Sequence, residues 1–473
     1  MRTWKFVIFY LLLCCQNKSL IAQAFYFGAD LSYVNEMQDC GVVYKENNTP
    51  KDPYLLFAER GCNLVRLRLW HNPSWYDNLN SGKRYSDLQD VKKSIRRAKE
   101  AGMQVLLDFH LSDNWADPSK QRVPAAWLGV VNDLSLLKDS LQQYISHTLL
   151  ELNEVGLLPD MVQIGNETNK GILLSPTDDT AGWVLNWSRN AALFNTAIQA
   201  IRTVEAATNK TIKVALHIAG PADAVAMASQ FWNHDVRDFD IIGISYYWAW
   251  HKPTTIQQTG DVVAQLLQNY PNKEVMIFET GYIWTDQSND NANNIISDVH
   301  PLYSPASSEN QRKFLIDLAQ ELIDKGGKGL IYWEPAWVSS SCRTQWGQGS
   351  HQEHATFFDF DNNLLPTGGI GWMAYPYQNV VNTSSPLLLQ KIKVSLDTSH
   401  RILHLKVTDK TPENAWAIHL LSLTGELKRQ QTWQPGDSEL RYLLPDLPAG
   451  VYFVAIYEQG RLLSREKIWI NQY

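Results

Sequence analysis

Eight short runs of mostly apolar, β-favouring residues recur along the first three quarters of the chain, at 25–29, 64–69, 104–109, 161–165, 212–217, 241–246, 275–278 and 329–333. Stretches of helical periodicity lie between them, among them 90–101, 139–155, 190–206 and 308–325. The runs start roughly 30 to 60 residues apart, as repeated strand–helix units with variable loops do. Gly61, Gly102, Gly156 and the pair Gly326-Gly327 stand just before the second, third, fourth and eighth runs, where a helix ends best on a left-handed residue. The pattern predicts an α/β fold, a (β/α)8 TIM barrel over residues 25–378.

After about Tyr377 the pattern changes. Residues 379–385 form a polar linker, and short runs follow at 392–396, 402–407, 417–423, 440–444 and 451–457. Several alternate with period two, and turn residues such as Thr424-Gly425 and Pro448-Ala449-Gly450 separate them. This predicts a small C-terminal β-sandwich over 386–473, with no catalytic-looking cluster and a packing or spacer role.

At the other end, Arg2 and Lys5 precede an apolar run at 6–15, and Ala22-Gln23-Ala24 makes a small-residue cleavage site. Residues 1–24 read as a signal peptide, so the expected protein is secreted, at a bacterial cell surface or in the periplasm. The alternative is a lipid anchor at Cys14 or Cys15, against which Leu13 stands where a small residue is expected. The apolar run is too short to cross a bilayer as a helix, and no other segment reads as transmembrane.

Composition narrows the classes further. Apolar residues make up 44% of the 473 and charged residues 19%, enough for a sizeable core. Loss of Arg2, Lys5 and Lys18 with the leader takes the net charge from −7 to −10, which gives no support for nucleic-acid binding. Eighteen tryptophans fill a core or stack on sugar faces. Cys40, Cys62 and Cys342 allow one disulfide and match no metal motif. The sequence does not address the oligomeric state.

The chemistry gathers where the runs end. The fourth leads into Gly165-Asn166-Glu167 and the seventh into Glu279-Thr280. Strand ends of a parallel barrel face the active site, and two carboxylates delivered there are what glycosidic hydrolysis needs. In Val65-Arg66-Leu67-Arg68-Leu69-Trp70 the two arginines share one face, the inner one if the aliphatics face the helices. Buried arginines need anionic partners, either the two glutamates or a structural ion pair elsewhere. Asp108, His110, Asp113 and Trp115 follow the third run, and His217 ends the fifth. Tyr246 and Tyr247 follow the sixth, and Trp333, Glu334 and Trp337 the eighth. One such residue is commonly structural, but convergence of most strand ends on polar and aromatic types points to a binding cleft. Spacing alone does not rank Glu167, Glu279 and Glu334.

Seven segments in register resemble glycoside hydrolase family 53, the endo-β-1,4-galactanases of the retaining (β/α)8 clan. They are Gly28-Ala29-Asp30-Leu31-Ser32-Tyr33, Val65 to Trp70, Asp108-Phe109-His110, Gly165-Asn166-Glu167, Ser245-Tyr246-Tyr247, Glu279-Thr280-Gly281-Tyr282 and Tyr332 to Trp337. The resemblance spans residues 25 to 375. It implies that Glu167 is the acid/base and Glu279 the nucleophile. It also implies that Asn166 bonds the 2-hydroxyl in the −1 subsite and Trp333 floors that subsite. By the same resemblance, an arginine of the second strand and a tyrosine of the sixth are expected to orient Glu279. The resemblance further implies that Asp113 and Trp115 lie along the glycone side and that the substrate is the β-1,4-galactan side chain of pectin. The chemistry requires no cofactor.

Some bacterial members of the family carry calcium between the loops after strands seven and eight. Asp290, Asn294, Ser350 and Glu353 stand in ligand-like positions, with Ala292 where those members have a histidine; Asp286, Ser288 and Asn289 are available to compensate. An ordinary polar loop is the competing reading. Rival functions are the same chemistry on another β-1,4-glycan such as xylan or mannan, and a non-catalytic glycan-binding protein. A metal-dependent hydrolase is disfavoured, since no His/Asp/Glu cluster has its ligand spacing.

Overall fold

The computed structural model describes residues 25–378 and, toward the C-terminus, 392–397, 401–407, 414–422, 427–444, 447–458 and 461–470. The expected leader, its anchoring cysteines and the linker at 379–385 lie outside the described residues.

Eight parallel strands close into a barrel: β1 Tyr26–Asp30, β2 Leu64–Leu69, β3 Gln104–Phe109, β4 Met161–Ile164, β5 Lys213–Ala219, β6 Ile241–Ser245, β7 Glu274–Thr280 and β8 Gly329–Tyr332. Each pairs with its sequence neighbours, and β8 pairs with β1. The runs read from the sequence are these strands, displaced at some ends by one or two residues.

Period-two alternation divides the barrel interior into two levels. Leu64, Leu106, Met161, Ala215, Ile241, Met276, Phe278 and Ile331 form an apolar floor. One pleat further toward the C-terminal end, β2 to β5 carry Arg66, Asp108, Gln163 and His217, all buried. The floor contributes ordinary core packing, and the polar layer above it carries the chemistry.

On β7 the alternation breaks. Phe278 belongs to the floor, so strict alternation would turn Glu279 outward. Ile244 pairs with Ile277 but Ser245 pairs with Glu279, so β7 carries one extra residue there. Such a bulge re-aims the next side chain, here back into the barrel. Gly243 makes room for it, since a Cβ there would lie 2.2 Å from the Phe278 ring.

Helices Leu88–Glu100, Leu134–Glu154, Trp187–Thr208 and Ser308–Asp324 cover the outside. The first three begin upstream of the expected positions because Asp87, Asp133 and Asn186 cap them, accepting backbone N–H groups of the first turn. Helices Pro53–Glu59, Pro221–Asn233 and Ile256–Asn269 complete the alternation. Gly61, Gly102, Gly156 and Gly326 all have positive φ at helix ends, as expected. Cys40 and Cys342 form the disulfide, and the Cys62 thiol is buried.

Among the described residues, the C-terminal region holds two antiparallel sheets. Strands β9 Ile392–Asp397, β10 Ile402–Val407 and β13 Glu439–Leu443 make one; β11 Trp416–Ser422, β12 Leu427–Trp433, β14 Gly450–Glu458 and β15 Arg461–Ile470 make the other. Side chains of both, including Leu403, Leu405, Trp416, Ile418, Val454 and Ile468, share one core. Strands β12 and β15 were not among the expected runs. Among the described residues, no helix is long and apolar enough to cross a membrane.

Candidate active site

Arg66 sits at the centre of the polar layer with 1% of its surface exposed. Its Nη1 donates to Asp30 Oδ2 at 3.0 Å and to Glu279 Oε1 at 2.7 Å. Its Nη2 donates to Asp108 Oδ2 and Asn166 Oδ1, both at 2.7 Å, and Nε donates to Gln163 Oε1 at 3.0 Å. One planar fork thereby fixes side chains from β1, β3, β4 and β7, a geometry that lysine cannot reproduce. Arg68 donates to Glu334 Oε1 at 3.1 Å and lies over the rings of Tyr33, Trp70 and Trp115.

Glu279 is held at both oxygens, the second accepting from the Tyr247 hydroxyl at 3.1 Å. Glu167 is held differently. Gly165 and Glu167 both have positive φ, +70° and +46°, so the chain turns sharply off the end of β4. Left-handed backbone at a non-glycine residue costs about 1–3 kcal/mol and persists where the surroundings enforce it. Here Gln121 Nε2 donates to the carbonyls of Asn166 and Glu167 at 2.8 and 3.2 Å. The Asn166 amide donates to Ala116 O at 2.8 Å, and its oxygen accepts from Arg66.

Both glutamates line one cleft of about 340 Å³, with Asn166, Tyr247, Trp333 and Trp337. Trp115, Trp250 and Trp346 extend its walls. Burial, then the nearby charge of Glu279, pushes the Glu167 carboxyl up to about 8. Burial also raises Glu279, but Arg66 opposes it and favours the anion. The proton shared by the pair therefore rests on Glu167. An acid with a raised pKa is competent below that value and loses its proton as pH rises through it. The expected kcat/KM profile falls on the alkaline side near pH 8, where Glu167 ionises, and Glu167→Gln lacks that fall when assayed on a substrate whose leaving group needs no protonation. An alkaline fall unchanged in Glu167→Gln would assign it to another group.

The cleft contains Glu167, Glu279, Asn166, Trp115, Tyr247, Trp333 and Trp337, as the sequence places them. Other expected substrate contacts do not line it. Tyr246 points outward, because alternation along β6 sends Tyr247 in; its hydroxyl donates to Thr254 O at 2.8 Å among the helix-facing side chains. Arg66, Arg68, Asp108, His110, His217 and Glu334 are buried and are not among the residues lining the cleft; Arg66, Arg68 and His217 bond to other side chains of the site. His217, for example, contacts Asn166 Oδ1 at 2.9 Å and Ser245 Oγ at 3.0 Å, and burial keeps it neutral. Asp113 accepts backbone N–H groups of Asn72 and Ala125 at 3.0 and 2.8 Å, which ties two loops together. Asp30, Gln163, Trp250 and Trp346 were not among the expected site residues. Gln163 had a signal, an inward polar residue in an apolar strand; Trp250, in the short helix Trp248–His251, and Trp346, in a hairpin turn, had none.

The loop residues Asp290, Asn294, Ser350 and Glu353 do come together. Asp290 accepts from the backbone of Ala292 and Ser350 at 2.8 and 2.7 Å, and Glu353 Oε1 accepts from Asn289 N at 2.8 Å. Asn294 Nδ2 reaches Ser288 Oγ at 3.0 Å, while its Oδ1 is buried without a partner. Among the described residues, no group of three or more His, Cys, Asp or Glu is placed to hold a metal.

The model of the family described as Glycosyl hydrolase family 53 matches residues 26–368. An arabinogalactan endo-beta-1,4-galactanase of Cellvibrio japonicus is 47% identical over 346 residues, covering 72% of this chain and 89% of that protein. An endo-beta-1,4-galactanase of Bacillus subtilis is 31% identical, covering 72% of this chain and 83% of its own. Among solved structures, the Ignisphaera aggregans GH53 catalytic domain superposes with a TM-score of 0.66 at 32% identity, over 75% of this chain and 96% of that one.

Proposed function

The chain belongs to glycosyl hydrolase family 53, and from that premise we propose a retaining mechanism carried by Glu167 and Glu279. The enzyme is an endo-β-1,4-galactanase. Glu279 attacks the anomeric carbon while Glu167 gives its proton to the departing glycosidic oxygen, leaving a galactosyl ester on Glu279. Glu167, now a carboxylate, takes a proton from water as that water displaces the ester. In this reading Asn166 bonds the sugar 2-hydroxyl and Trp333 floors the reacting subsite; both line the cleft. The observation that carries the assignment is the asymmetry of the pair: Arg66 and Tyr247 hold Glu279 as an anion, while Glu167 keeps its proton.

Chromatography of products from purified linear β-1,4-galactan tests the reading. Short galacto-oligosaccharides are expected early, with little free galactose. Cleavage of xylan or mannan with galactan left intact would replace the substrate, and binding without turnover would replace the enzyme reading with a lectin-like one. Because the polymer cannot cross a membrane intact, we place the enzyme outside the cytoplasm, free or lipid-anchored at Cys14 or Cys15. Treatment with a lipoprotein signal-peptidase inhibitor separates the two.

We also propose that the two adjoining loops take calcium through Asp290, Asn294, Ser350 and Glu353. The partnerless buried Asn294 Oδ1 supports this, since calcium draws on side-chain amide, hydroxyl and carboxylate oxygens. The ion would cross-link the loops and take no part in the reaction. At about 100 times its Kd, calcium is expected to stabilise the protein by about 2.7 kcal/mol, read as a rise in melting temperature over a chelator control. An unchanged melting temperature would make this an ordinary polar loop.

A further inference from the structure

Trp346 stands in the cleft wall at the tip of a hairpin whose strands, Arg343–Thr344 and Gly347–Gln348, have two residues each. A hairpin that short has no stability of its own. The ring is 38% exposed, and its aromatic neighbours are 5.4 Å (Trp75) and 6.4 Å (Trp115) away between centroids. The position of Trp346 must therefore come from its tethers.

Two tethers hold the near stem, one to the segment after β1 and one to the loop after β2. Cys342, immediately before the hairpin, is joined to Cys40. Asn80 then brackets Arg343, accepting from its N–H at 2.9 Å and donating to its carbonyl at 2.8 Å. Asn80 is itself fixed by Glu36, which accepts from Asn80 Nδ2 at 3.2 Å and from the Tyr76 hydroxyl at 2.8 Å. Tyr76 stacks on Trp75 at 3.8 Å, and Trp75 meets the Trp346 ring edge-on. The far stem is held by Asp290, whose carboxylate accepts from Ser350 N at 2.7 Å and packs against Gly349, where a Cβ would lie 2.3 Å away.

We propose that the Cys40–Cys342 disulfide and Asn80 are positioning groups that fix Trp346 as a stacking wall for galactose units beyond those flanking the cut bond. An intact disulfide thereby raises the preference for long galactan over short substrates. An exposed, immobilised indole in an aromatic-lined cleft offers the flat apolar face that a pyranose ring covers. The inference rests on the galactanase reading above.

The test compares kcat/KM on linear galactan with kcat/KM on an aryl β-galactobioside, as a ratio, at a temperature well below unfolding. Trp346→Ala is expected to lower the ratio about tenfold, mostly through KM on the polymer, and Trp346→Phe to restore most of it. The double variant Cys40→Ser with Cys342→Ser, wild-type protein reduced by a phosphine, and Asn80→Ala should move the ratio in the same direction. The double variant and the reduced protein melting earlier with the ratio intact would overturn the positioning role and leave a purely structural bond. An unchanged ratio in Trp346→Ala would overturn the stacking wall. Wild-type protein inactive on galactan would sink the galactanase reading instead, and with it the substrate named here; active wild type with unmoved variants sinks this inference alone.

Discussion

Glu279→Ala is expected to lose about four to six orders of magnitude in kcat on galactan, the scale seen when a nucleophile is deleted from an otherwise intact site. The variant should fold. Arg66 keeps Asp30 and Asp108 as partners, so the deletion removes one carboxylate of three and leaves no orphaned cation. The space vacated beside Arg66 suits a small anion. With an aryl galactobioside whose leaving group needs no acid, azide should therefore restore turnover and yield the α-galactosyl azide, because it attacks from the face Glu279 occupied. Proton NMR of the anomeric centre reads the product. A β-azide would mean that the two glutamates have exchanged roles, and undiminished activity would remove Glu279 from the mechanism.

Arg66→Ala is expected to have the largest effect on the fold. It strips the counter-charge from Asp30, Asp108 and Glu279, all buried, and breaking a buried pair from one side costs about 3–5 kcal/mol. For a barrel of this size the melting temperature should fall by roughly five degrees. A second readout separates stability from function. Arg66 opposes the upward push of burial on Glu279, so its loss lets that pKa rise. Glu279 must be ionised to attack, and the acidic side of the pH profile should move to higher pH. Arg66→Lys keeps a charge but not the fork that reaches five side chains, and should recover part of the stability. An Arg66→Ala protein with wild-type melting temperature and an unmoved acidic side would show that the network is not the hub drawn here.

The barrel was legible because its strands are buried on both faces and read as continuous apolar runs. The inward arginines were legible too, since β2 alternates strictly from Val65 to Leu69. The inward-facing set was hard to read at two places for opposite reasons. Alternation runs on past the end of β6, which turns Tyr246 out and Tyr247 in, where the motif alone treats both as site residues. On β7 it is broken by the extra residue at Phe278, which a run of apolar letters does not announce. Several polar residues that the sequence assigns to sugar, Arg66 and Glu334 among them, are buried outside the cleft lining and bond to other side chains, because residue type does not separate a group that touches substrate from one that holds the group that does. Asp87, Asp133 and Asn186, which start helices, look like loop residues until the turn they cap is seen. In the C-terminal sheets, Leu427–Trp433 is mostly exposed and polar, and an edge strand of that kind has little apolar periodicity to read.

The bond between Cys40 and Cys342 also sets how the enzyme responds to mechanical load. It links positions 302 residues apart, and β2 through β8 all lie between them. Tension applied between a point upstream of β1 and a point downstream of the barrel therefore passes through the two sulfurs and bypasses seven strands of the sheet. While the bond is intact, such a pull can peel β1 and the segments after Cys342, but it cannot draw out the intervening chain. An enzyme tethered at one end and dragged along a polymer at its cleft would yield at its margins and keep most of its barrel strands within a closed loop.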